Sequence, residues 1–262
     1  MKRRTVILSM LVLPLGFLLM SCDQMFSINL FSSLTQKAIT AGSIAGMTPA
    51  EIVALTGSAD SMAKLAADQA AKDAALAKLA VAYNADASTS GGQAAAIAAT
   101  DISIKTVPDA AQFAASAINL VTLNFSTASA TDIVNALTGI LPADIAGSVG
   151  SSTQPPAAFI AMVAAFTSAS AAFTALNTGI SGSPPAYADP SVTSAQKMEI
   201  AVNAVISGVL NTITPTSGTA AEALWAALCA PSSASGFLSF DSGVASSTGP
   251  AGNLIAAAGL KL

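Results

Sequence analysis

Along much of the chain, apolar residues recur three and four positions apart, the spacing that gathers side chains on one face of an α-helix. The segment 156–177 shows it most clearly. Phe159, Met162, Phe166, Ala169, Phe173 and Leu176 fall on one stripe, with Thr167, Ser170 and Thr174 beside it. In 190–213, Met198, Val202, Val205, Val209 and Ile213 form one face, and Glu199, Asn203, Ser207 and Asn211 form another. This predicts an amphipathic helix with a largely uncharged polar side. From Asp60 to Tyr83 the chain is alanine-rich, and Asp60, Lys64, Asp68 and Lys72 recur every four residues as opposite-charge helical pairs. Gln69 and Lys72 interrupt the apolar line through Leu65, Leu76 and Tyr83, so the buried face of that helix does not read cleanly.

Start and stop signals punctuate these segments. Thr48-Pro49-Ala50-Glu51 and Thr219-Ala220-Ala221-Glu222 are capping boxes, in which a hydroxyl and a carboxylate each take a free backbone amide of the first turn. Pro49 sits where no amide partner is needed, Gly57 closes the first helix, and Pro231 ends the segment carrying Leu224, Trp225, Leu228 and Cys229. Ser129 with Asp132, and Asp189 before Pro190, are weaker starts of the same kind. Uncharged Ser, Gly and Pro stretches at 87–92, 147–156, 179–190 and 231–249 read as loops, with a short terminal helix near 253–260. Asp101 to Lys105 is the one short β-branched alternation, the pattern of a strand. The fold class expected is all-α, an alanine-rich, irregular multi-helix bundle or helical-hairpin array of about eight helices. The likeness of 50–57 to 131–139 bears on the array, but no complete repeat signature accompanies it.

The N-terminus follows a different grammar. Lys2, Arg3 and Arg4 precede an apolar run from Val6 to Met20, too short to span a bilayer and of the length of a secretory h-region. It ends in Leu19-Met20-Ser21-Cys22, which resembles the lipobox of bacterial lipoproteins, with Met20 where smaller residues are commoner. The resemblance covers only the first twenty-two residues. It implies removal of 1–21 as a signal peptide, lipid attachment at Cys22, and residence in the bacterial cell envelope, at the inner or outer membrane and on a periplasmic or surface face. Residues 22–33 are then a lipidated tether, and 34–262 a single α-helical domain with its Ser/Gly-rich loop near 231–249.

The 262-residue chain has 53% hydrophobic but only 9% charged residues, and no histidine. Alanine makes up roughly a fifth of it, so the mean hydropathy of +0.65 overstates the bulky core. Without histidine, Ser/His/Asp and Cys/His triads and His-ligated metal sites are excluded. Loss of Lys2, Arg3 and Arg4 with the leader leaves seven basic against fourteen acidic residues, a formal charge of −7 that disfavours nucleic acid. With Cys22 acylated, Cys229 has no disulfide partner and reads as a buried, inert thiol.

Two segments spell S-x-x-K, the pattern in which lysine activates serine in penicillin-binding proteins: Ser61 to Lys64 and Ser194 to Lys197. Both lie near helix starts, and Lys105-Thr106 is followed by Val107, so the companion K-T-G is missing; helix capping is the simpler account of the serines. Residues 145–188 hold no charge, and 157–176 reads as a buried central helix, with a membrane segment as the alternative. The functional expectation is a membrane-anchored, non-catalytic binding or scaffolding module acting on an envelope protein through helix faces, without cofactor or metal. The alternatives are a carrier of a small apolar ligand, whose cavity is lined by alanine, or a transporter accessory, and more remotely a histidine-free hydrolase.

Overall fold

A computed structural model describes residues 38–117, 128–180, 182–239 and 251–259. The leader, Cys22 and the tether lie outside the described residues, as do residues 240–249 of the expected 231–249 loop; its described part is instead a 3-10 helix, Pro231–Gly236, followed by a two-residue strand. The protein is a helical bundle, 70% helix and 2% strand, with nine helices of seven or more residues among the described residues. In chain order the α-helices, short ones included, are α1 (Ala41–Ala45), α2 (Pro49–Thr56), α3 (Ala59–Ala67), α4 (Gln69–Ala85), α5 (Ser90–Lys105) and α6 (Pro108–Ser116). Then come α7 (Ala130–Thr138), α8 (Ala143–Ala146), α9 (Ala157–Gly179), α10 (Ser194–Asn211), α11 (Ala220–Cys229) and α12 (Gly252–Ala257). A two-residue ribbon pairs β1 (Thr214–Pro215) antiparallel with β2 (Leu238–Ser239).

The core is built around α5 and α9, which pack on each other. α5 is also covered by α2, α4 and α6, and α9 by α6 and α10. The six predicted stripe residues of α9, Phe159 through Leu176, are all buried. Phe166 meets Phe113 of α6 edge to face with ring centroids 5.6 Å apart, and Phe159 lies 5.0 Å from Trp225 of α11. By length and composition α9 could also cross a membrane; its apolar stripe is spent on neighbouring helices, while Ile160 on its other side is exposed.

Capping follows the sequence closely. Thr48 with Glu51, Ser129 with Asp132 and Thr219 with Glu222 all form reciprocal boxes. Accepting these bonds holds the Glu51, Asp132 and Glu222 carboxyls below their ordinary pKa. Two more boxes, Thr40 with Ser43 and Thr193 with Gln196, escaped the sequence reading. Thr193, four residues beyond Asp189, starts α10; Asp189 instead accepts from the Ser191 amide in the preceding turn. Lys78 of α4 donates to the Ala45 and Met47 carbonyls, satisfying chain-end acceptors behind α1. At the other end of the chain, Asn177 of α9 accepts from the Asn253 and Leu254 amides, so a side chain from another helix caps α12.

Three expectations are corrected. The helix expected across 60–83 is two helices, broken at Asp68, whose extended backbone ends α3 and whose carboxylate accepts from Ala71 to start α4. The ladder therefore does not run as one row: Asp60 pairs with Lys64 at 2.7 Å, and Asp68 serves as a cap. The break also resolves the buried face, which in α4 is Ala71, Ala75, Leu79 and Tyr83. Asp101–Lys105 is the last turn of α5, not a strand, because helices on several sides let both Ile102 and Ile104 be buried. The polar side of α10 is a solvent face only at its ends, where Glu199 and Asn211 are exposed; between them Asn203 and Ser207 are buried. Ser207 gives its hydroxyl proton to the Phe166 carbonyl at 2.7 Å and so tacks α10 to α9.

Candidate functional site

The last turn of α5 sets Asp101 and Lys105 four residues apart with the acid N-terminal, the order that suits both the pair and the helix dipole. Lys105 Nζ reaches Asp101 Oδ1 at 2.8 Å. Across the cleft the first turns of α10 present Glu199, whose Oε1 lies 3.3 Å from the same ammonium. Two carboxylates thus share one cation, leaving the trio one negative charge. Asp101 is about a quarter exposed and the other two side chains nearly half, so the ion pairs contribute little to stability and mainly fix geometry. Burial raises the Asp101 pKa although Lys105 opposes the rise. Burial would pull the Lys105 ammonium down, but Asp101 and Glu199 outweigh it and the net shift is upward.

Behind the trio is a small cavity of about 70 Å³, with Ile97, Ile104, Phe173 and Ile200 among its apolar walls and Thr100, Gln196 and Asn203 among its polar ones. This is room for a few water-sized groups. Asn203 is 6% exposed, and its Oδ1, itself covered, has no hydrogen-bond partner among the described residues. The Thr100 hydroxyl donates to the Ile97 carbonyl, and Gln196 Oε1 already accepts from Thr193. Lys105 and Glu199 also line an open groove of about 440 Å³, walled by Ala111, Ala114 and Ala115 of α6 and by Ala195 and Val202 of α10. The two spaces therefore adjoin: a polar recess opens beside an apolar trough whose width comes from short side chains. A trough of a few hundred Å³ with few polar groups matches the usual proportions of small-molecule sites.

An unpaired buried acceptor costs about 1–3 kcal/mol. Asn203→Leu, with the same branched outline and no amide, is expected to raise the unfolding free energy by about 1 kcal/mol in urea denaturation. A loss of stability would mean that the amide is satisfied in the folded protein. Tyr187 Oη is the other buried polar atom without a partner among the described residues, with Lys197 Nζ 5.7 Å from its ring centroid.

The residues singled out from sequence are dispersed. Cys22 lies outside the described residues. Ser61 is buried in the first turn of α3, where Ser58 is the cap, and Ser194 follows the cap Thr193, so neither S-x-x-K serine is itself a cap. Lys64 pairs with Asp60, and Lys197 with the face of Tyr187. Cys229 is part-exposed, not buried, because it ends α11 beside the 150–152 turn, where its sulfur accepts from the Gly150 amide at 3.3 Å. The sequence contained the cleft residues only in disguise, Asp101 and Lys105 as a strand-like alternation and Glu199 and Asn203 as members of the polar side of an amphipathic helix. Among the described residues no cluster of three or more His, Cys, Asp or Glu side chains is arranged to hold a metal. Comparison with protein-family models, characterised proteins and solved structures finds no match.

Proposed function

We propose that this is a lipid-anchored protein of the bacterial cell envelope that acts by binding a small molecule in the cleft between α5, α6 and α10. The observation that carries the binding half is the cleft itself, in which Asp101, Lys105 and Glu199 converge beside an alanine trough. The Leu19-Met20-Ser21-Cys22 motif supports the anchor, since two or three acyl chains hold a protein on a bilayer stably where one does not. A chain without histidine lacks the commonest general base, which favours binding over catalysis. Docking of a protein through helix faces draws less support: among the described residues the large exposed hydrophobic side chains are Val81 and Ile160, on different helices.

The anchor is tested by growing cells that express the full chain with labelled palmitate. Label is expected in the wild-type protein and in the membrane fraction, and none in Cys22→Ala, which accumulates as the unprocessed, slower-migrating precursor. Equal labelling of the two proteins, or unlabelled wild type, sinks the lipoprotein reading.

A further inference from the structure

We draw no further inference here: the strongest candidate, the uncharged outer face of α9 formed by Ala157, Ile160, Ala161, Ala164, Ser168 and Ala171, is a stripe of mostly small side chains, and nothing in the structure shows what covers it.

Discussion

Gly92→Ala is expected to destabilise the protein by about 3 kcal/mol or more, whereas Gly91→Ala, one residue earlier, leaves stability unchanged or raises it by up to about 1 kcal/mol. Both glycines lie in the first turn of α5, where alanine is ordinarily the better helix former. The difference is what a methyl group would meet. At Gly91 nothing lies within 4 Å, while at Gly92 a Cβ would stand 1.9 Å from the Asp86 carbonyl oxygen and 2.8 Å from its carbon. Those are backbone atoms, and the loop that holds them has little freedom to yield. Asp86 accepts from the Ser88 amide and hydroxyl, its carbonyl accepts from Thr89, and Thr89 caps α5. The other side of the same loop is blocked as well, because a Cβ on Gly179 at the end of α9 would lie 1.9 Å from the Ala87 carbonyl oxygen. Gln93, nearly fully buried, closes the junction by donating to the Gly179 carbonyl and accepting from the Ala188 amide. Urea denaturation of the two variants checks the contrast: coincident midpoints for Gly91→Ala and Gly92→Ala would mean that the 86–89 loop moves aside at no cost.

Those glycines illustrate where a sequence reading stops. Both 87–92 and 179–190 were expected to be loops because Gly, Ser and Pro cluster there, yet Gly92 is in α5 and Gly179 is the last residue of α9. Composition reports that a Cβ is missing; only the packed partner tells why. The same limit applies to Asp68, since a position compatible with an i,i+4 ladder is equally a good N-cap, and only the extended φ of −123° separates the two roles. What was legible is what physics makes local. Thr48 and Glu51, or Thr219 and Glu222, recognise each other across three residues with no help from the rest of the chain. The α9 stripe was legible too, because a face of three phenylalanines, a leucine and a methionine needs a partner wherever it is placed.

The candidate site was the least legible part, for a related reason. Asn203 and Ser207 are spaced on α10 as a polar face should be, and periodicity alone assigns a polar face to water. In the fold the middle of that face turns inward while Glu199 and Asn211 stay exposed. Ser207 is then satisfied by a carbonyl of α9, while Asn203 is left facing a recess completed by α5. Asp101 and Lys105 acquire their meaning from Glu199, almost a hundred residues later, and no local pattern joins them. The low charge of the chain has a counterpart here: where few charges exist, three of them converging on one cleft mark it more strongly than they would on an ordinary surface.

Phe166→Ala is expected to cost about 3–5 kcal/mol, the range for emptying a fully buried aromatic position. Phe166 has no exposed surface, lies midway along the longest helix, and faces Phe113 edge to face, so truncation removes both apolar burial and a ring pair. The surroundings are poorly placed to collapse into the void. α9 is held to α10 at this level by the bond from Ser207 to the Phe166 backbone carbonyl, which the substitution leaves intact, and α5 and α6 are fixed by their own contacts with α9. Retaining that tether keeps the helices at their spacing and preserves the cavity, which places the effect toward the upper part of the range. Ile160→Ala, six residues earlier on the exposed side of the same helix, is expected to change stability by less than about 0.5 kcal/mol. Urea denaturation measures both. If α9 were a helix immersed in lipid, Phe166 and Ile160 would both be covered, and the two substitutions would cost similar amounts. A large cost at Phe166 with almost none at Ile160 instead assigns the apolar stripe to the interior of the bundle.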